Sequence, residues 1–303
     1  MKYKLSTNFA KTQIKEIDNI EYLISSIKSI NKAFFELIQS LYTGQPQLEG
    51  REIFVETLST RILTTTNSIV GLTGGIFLES NDKIATIQII DFPSINILTR
   101  SIIESFLTLE YLFYNKLEED EKEFRFLLWR ISGYKARQNF FSEDGKIRGG
   151  EKVKKVLDSE LEEIKELLNI IEKSQHYSNL EKKHLSKLSR YGIPRLKSWS
   201  ELLESSMLKT DLFLTSYKLY SNYAHSEFIS LIQCNGADVF NKGSYGNSLH
   251  LKNALRLVLY INCVSIIQLK KKFDYTNEVY DAFNLEQKNI IEFWNAFTIG
   301  ELT

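Results

Sequence analysis

Ser221 and His225 stand four residues apart in the stretch KTDLFLTSYKLYSNYAHSEFISLIQ, residues 209–233. On a helix that spacing turns by only about 40°, so the two share a face. Imidazole titrates near neutral pH, which makes His225 a candidate general acid or base, or, when protonated, a holder of phosphate. A nucleophilic serine needs its base oriented by a third group and an oxyanion site, neither of which one helix supplies, so Ser221 is the weaker half of the pair. The competing reading is a core histidine bonded to a carboxylate or tyrosine at the margin of a stripe formed by Phe213, Tyr217, Tyr220, Ala224, Phe228 and Leu231.

Arg100 and Glu104 form a second pair at the same spacing, in NILTRSIIESFLTLEYL, residues 96–112. In that order an exposed pair contributes only about 0.2–0.5 kcal/mol. Their neighbours Leu107, Tyr111 and Tyr114 are apolar or aromatic, which indicates burial on both faces, and each buried charge then needs a partner. A cluster of Arg100, Glu104, Ser221 and His225 meets that need and makes a polar pocket; a sealed structural network meets it equally. Tyr217 and Asn222 join the pocket as candidate ligand contacts. Arg130, Tyr134 and Arg137 fall on one helical stripe and mix cations with an aromatic ring, as a phosphate or single-stranded nucleic-acid surface does and as a solvated helix face also does.

These residues are carried by elements whose periodicity is helical. Ile17, Ile20, Leu23, Ile27, Ile30, Phe34, Leu37 and Leu41 recur three or four apart and predict one helix over about 9–41, followed by the loop TGQPQLEG, residues 43–50. A helix is expected from Arg51 to about Phe77, where GLTGG lacks the lysine and hydroxyl ending of a phosphate loop. Residues 82–91 are ambiguous between strand and helix. Pro93 suits the first turn of a helix over Ser94–Asn115, and an acidic start opens the next, to residue 141. Leu157, Leu161, Ile164, Leu168 and Ile171 form a two-heptad seam in a charged excursion at 150–190, packed outside the bundle or against a partner. A continuous helix over 209–233 leads into the glycine- and asparagine-rich loop CNGADVFNKGSYGNSLH, placed to cover a site at its end. Leu249–Lys272 is apolar nearly all round and therefore central, and Asn284 with Gln287 resembles a capping box.

The chain has 303 residues, with Lys+Arg and Asp+Glu both 38 and net charge +0, so no global field draws it to nucleic acid or anionic lipid. Three prolines and 14 glycines favour long helices over a sandwich or barrel. Two cysteines, Cys234 and Cys263, fit a reducing cytoplasm, and no run has the length of a membrane span or signal peptide. The histidines His176, His184 and His250 show no shared ligand spacing and read as surface residues, so neither metal nor cofactor is expected.

Together, NILTRSIIESFLTLEYL and SYKLYSNYAHSEF resemble a family of bacterial helical proteins, classed as a domain of unknown function, in which an Arg-x-x-x-Glu helix precedes a Ser-x-x-x-His helix. The likeness runs from about residue 50 to 272, on Arg100, Glu104, Ser221 and His225. It implies a helical bundle and a bacterial or mobile-element setting. KLYSNYAH also resembles the HEPN helical bundles, many of them metal-independent ribonucleases, with Asn222 and His225 in place and Lys218 where an arginine is expected. The reading is therefore an all-α multi-helix bundle over 1–303, cytoplasmic and of accessory or antiphage-defence type. Its pocket would bind RNA or a phosphate-bearing small molecule, and in the enzymatic version it would act as a metal-independent ribonuclease. The alternative is a non-enzymatic protein that oligomerises or binds a protein partner through 150–190.

Overall fold

The computed structural model describes residues 7–44, 47–81, 86–143, 146–147, 150–208, 210–236 and 245–298. In chain order the helices and strands are α1 (Thr7–Glu16), α2 (Ile20–Thr43), α3 (Ile53–Leu72), β1 (Ile76–Glu79), β2 (Thr86–Ile89), α4 (Phe92–Leu109) and α5 (Glu119–Phe141). There follow β3 (Ser142–Glu143), β4 (Lys146–Ile147), α6 (Gly150–Glu172), α7 (Gln175–Ser178), α8 (Lys182–Arg190), α9 (Trp199–Glu204) and α10 (Thr210–Ala224). Last come α11 (Phe228–Gly236), α12 (Tyr245–Lys272), α13 (Thr276–Ala282) and α14 (Leu285–Thr298). The architecture is an all-α multi-helix bundle with two small antiparallel hairpins. The chain divides into two compact units, one of residues 1–110 with 202–303 and one of residues 111–201. The charged excursion expected at 150–190 lies wholly inside the second.

In the first unit α12 packs against α2, α4 and α14. Its all-round apolar sequence allows this, with Leu255, Val258, Tyr260, Ile261 and Ile266 fully buried. Truncating one such aliphatic side chain to alanine costs about 2–5 kcal/mol. One polar group lies at the centre. Asn262 donates to Asn31 Oδ1 of α2 (3.0 Å) and meets Thr66 Oγ1 of α3 (3.3 Å), while Asn31 donates to Asn67 Oδ1 of α3 (3.0 Å). Asn67 in turn donates to the Leu63 carbonyl at 3.1 Å. Three helices are thus tied by a chain of amides that runs from the buried Asn262 and Asn31 out to the exposed Asn67.

Three expected helices differ in extent, each for a local reason. The run over 9–41 is broken after Glu16, because the Asn19 side chain accepts from the backbone N–H of Glu21 (3.0 Å) and Tyr22 (3.2 Å) and starts α2 afresh. The helix expected to Phe77 ends at Leu72. Gly75, at φ +82, turns the chain into β1, so Phe77 sits on a strand paired with β2, where the ambiguous segment 82–91 enters as extended backbone over Thr86–Ile89. The helix over 209–233 is divided at His225, as described below. Elsewhere expectation holds: Asp91 caps α4 by accepting from Ser94 N–H at 3.1 Å with Pro93 in the first turn, and Asn284 and Gln287 make both bonds of a capping box.

In the second unit α6 packs on α5, and its seam is spent there. Leu167 and Ile171 join Phe124, Leu127, Leu128, Ile131, Leu188 and Ile193 in one core cluster. Leu157 and Ile164 are also buried, whereas Leu161 is exposed. Gly192, at φ +79, lies against Ser132 of α5 so closely that a Cβ would stand 2.5 Å from the Ser132 Cα, a separation only glycine permits. No helix among the described residues is long and apolar enough to cross a membrane.

Candidate functional site

Helices α4 and α10 pack together antiparallel. Phe92 at the start of α4 meets Tyr223 near the end of α10, with ring centroids 5.9 Å apart, while Arg100 and Glu104, two to three turns on, meet Tyr217. Arg100 and Glu104 pair at 3.0 Å, and the Tyr217 hydroxyl donates to Glu104 Oε1 at 2.9 Å. The Arg100 guanidinium reaches the same hydroxyl at 3.5 Å and lies 5.3 Å from the ring centre. Burial, reinforced by the Glu104 carboxylate, pushes the Tyr217 phenol up to about 12, so it remains a hydrogen-bond donor at any physiological pH.

One turn before Arg100, Asn96 is fully buried, and neither atom of its amide makes a hydrogen bond of normal geometry. The Arg100 Nε is likewise buried without an acceptor. Two donors, the Asn96 amide N–H and Arg100 Nε, and one acceptor, Asn96 Oδ1, are thus left unmet along this stretch of α4. At the far end of the seam Tyr223 donates to Gln233 Oε1 at 2.7 Å, and burial pushes its phenol well up against the pull of the Asn96 amide.

His225 does not join this cluster. Helix α10 ends at Ala224, His225 is the residue after it, and Ser226 takes the left-handed conformation at φ 52. The Glu227 N–H bonds to the Asn222 carbonyl (2.9 Å) and the Ser226 N–H to that of Tyr223 (3.3 Å), the paired bonds of a Schellman stop. His225 is exposed and no hydrogen bond or ion pair joins it to Arg100 or Glu104. Eight residues of helix, about 12 Å of rise, separate it from Tyr217. Ser221 and Asn222 are half-buried between them, Asn222 donating to the Lys218 carbonyl at 3.3 Å. The break also undoes the expected stripe. Past Ser226 the helical phase is lost, so Phe228 (76% exposed) and Leu231 (52%) face outward rather than into the core.

The Arg130–Tyr134–Arg137 stripe runs beside α6, which supplies a carboxylate to each of its arginines while Arg137 itself stays about half exposed. Arg130 pairs with Glu163, and Arg137 grips Glu160 through two hydrogen bonds, one of them 3.1 Å from Nε. Tyr134 receives a longer bond from Arg130 at 3.4 Å. Lys135 donates to the carbonyls of Leu188 (2.8 Å) and Ser189 at the end of α8, a favourable place for a cation.

His250 is corrected from a surface residue to a seam residue. Its ring stacks on Phe92 at 4.5 Å with 7° between planes, and Tyr223 approaches it edge-on at 6.3 Å. Burial lowers its pKa below the ordinary 6.5. Nothing in the spacing of His250 signalled this, because its partners lie more than 25 residues away in sequence. His176 is partly buried beside Phe124 and contacts Asp120 at 3.1 Å, and His184 is half-buried. The middle of the loop expected to cover the site, residues 237–244, lies outside the described residues; its ends belong to α11 and α12. No group of three or more His, Cys, Asp or Glu side chains among the described residues is placed to hold a metal.

The fold and site define a helical-bundle protein with a tyrosine-bridged Arg–Glu seam between two antiparallel helices. A family model described as a family of unknown function, DUF5677, matches residues 54–242, and the chain belongs to that family. The match takes in both halves of the seam, Arg100 with Glu104 and Tyr217 through His225. No curated protein and no solved structure matches the chain.

Proposed function

We propose that this protein is a non-catalytic interaction protein that associates with a second copy of itself through α11, and that the Arg100–Glu104–Tyr217 cluster serves to hold α10 against α4. The observation that carries this reading is the inverted burial of α11. In the nine residues FISLIQCNG the serine, Ser230, is buried, while Phe228, Ile229, Leu231 and Ile232 are exposed. A helix facing water has the opposite pattern, and an exposed apolar patch of this kind marks an interaction surface. The segment contains no charged residue, and the chain as a whole has net charge +0, so two copies meet without electrostatic penalty and a two-fold pairing of identical apolar faces is self-complementary. The α6 seam is a weaker candidate because α5 already covers it.

Light scattering on size-exclusion fractions tests this. The wild-type chain should elute as a dimer and Phe228→Ser/Ile232→Ser as a monomer with an unchanged melting temperature. A wild-type monomer at the highest attainable concentration sinks the reading and directs the search to a different protein partner for α11.

A second reading, favoured by the buried Arg100 Nε that has no acceptor, is that the α4–α10 seam binds a phosphate-bearing ligand or RNA, as a cytoplasmic defence-type protein would, with His225 as acid or base. Phosphate titration of the wild type and Arg100→Met, together with an RNA-cleavage assay of His225→Ala, decides it: identical behaviour of variants and wild type removes this reading.

A further inference from the structure

Helices α2 and α3 enclose a cavity of about 440 Å³ on the first unit, walled by Phe35, Ile38, Tyr42 and Leu63. A second cavity of about 390 Å³ continues it past Leu41, Leu48 and Ile53, and Tyr42 and Glu56 line both. Each volume is within the range of small-ligand sites, roughly 300–1,000 Å³.

Among the described residues, Glu56 is the one charged side chain that lines either cavity. The other polar groups of the α3 wall are spent locally. Thr64 bonds back to the Thr60 and Arg61 carbonyls (2.9 and 3.1 Å), and Asn67 accepts from Asn31 and donates to the Leu63 carbonyl. The Thr60 hydroxyl donates to Glu56 Oε1 at 3.0 Å, which orients the carboxylate and leaves Oε2 open. Among the described residues no cation pairs with Glu56. Beside it Tyr42 is 79% exposed and Phe35 49% exposed, two aromatic rings held at the mouth of an apolar cleft. An oriented carboxylate without a counter-ion, aromatic rings and an apolar trough together form the complement of an ammonium group carried on a hydrocarbon chain or ring.

We infer that the α2–α3 cleft binds an amphipathic organic cation, its ammonium group between Glu56 and Tyr42 and its hydrocarbon portion along Phe35, Ile38 and Leu63. This site is separate from the α4–α10 seam and does not depend on how that seam or α11 functions.

The test is calorimetric titration of the full chain with octylammonium, octanol and octanoate, which share a tail and differ in charge. Octylammonium should bind most tightly and octanoate most weakly. Glu56→Gln, which keeps the Thr60 hydrogen bond, should weaken octylammonium about fivefold while leaving octanol unchanged. Tyr42→Leu, at an exposed position where folding is not at stake, should weaken octylammonium by a comparable factor, about fivefold, through loss of the ring face. Equal binding of the three probes, no binding of octylammonium, or an octylammonium affinity indifferent to Tyr42→Leu overturns the assignment.

Discussion

Each unit carries an arginine–glutamate–tyrosine cluster at a helix–helix seam, and the two are wired differently. In the second unit the ion pairs run between helices, Arg130 to Glu163 and Arg137 to Glu160, so opposite charges themselves hold α5 to α6. In the first unit the ion pair is internal to α4, and α10 is attached through the Tyr217 hydroxyl and ring. Removing one charge therefore has different consequences: across α5–α6 it strands a carboxylate on the opposite helix, whereas on α4 the tyrosine still has a polar partner. A charge pair between elements sets their register; a pair within one element only prepares a surface for the next.

The largest expected effect is at Arg137→Met. Glu160 has a side chain only 8% exposed and would lose its guanidinium, which should cost about 2–3 kcal/mol as a lower urea midpoint. The double variant Arg137→Met/Glu160→Met should regain most of that loss, because two apolar side chains need no partner. A double variant as unstable as the single would show that packing, not the stranded charge, carries the effect.

Tyr217→Phe comes next, at about 1 kcal/mol, for a hydrogen bond to a partly exposed carboxylate. A double-mutant cycle with Glu104→Gln sharpens the contrast: coupling should appear here, and none should appear between Tyr217→Phe and Arg137→Met. Coupling of Tyr217 to Arg137 would erase the distinction between the two clusters.

The smallest effect is a pH slope at the aromatic end of the α4–α10 seam. Burial holds the folded-state pKa of His250 below its ordinary 6.5, so on acidification the unfolded chain takes up the proton first. Stability from this group is complete above about pH 6.5 and is lost as pH falls through the window beneath it. His250→Phe, which keeps the stack on Phe92, should flatten the fall of melting temperature in that window; an unchanged slope would assign it to other groups.

Much of this fold was legible in the chain. The stripes of α2 and α12, the Pro93 start of α4 and the Asn284 capping box all depend on neighbours within one or two turns, which is the range over which sequence spacing determines contact. The candidate site was legible in its parts and not in its assembly. Arg100 and Glu104 meet as their spacing requires, and Tyr217 joins them. The four-residue spacing places His225 on the helix of Ser221, but the serine at 226 adopts a left-handed conformation usually left to glycine, and periodicity carries no trace of that. The partners of Arg137 and His250 depend on tertiary approach and had no signature along the chain.

The amide ladder of Asn31, Asn67, Asn262 and Thr66 bears on a different question, which of many compact arrangements this chain settles into. A helix as uniformly oily as α12 can be rotated by a residue against α2 and α3 with little change in buried area, so apolar contact alone discriminates poorly among such neighbours. Any such rotation breaks several ladder bonds together and leaves buried amides dry. The ladder thus widens the gap between the native arrangement and its near copies, a selectivity that measured stability by itself would not disclose.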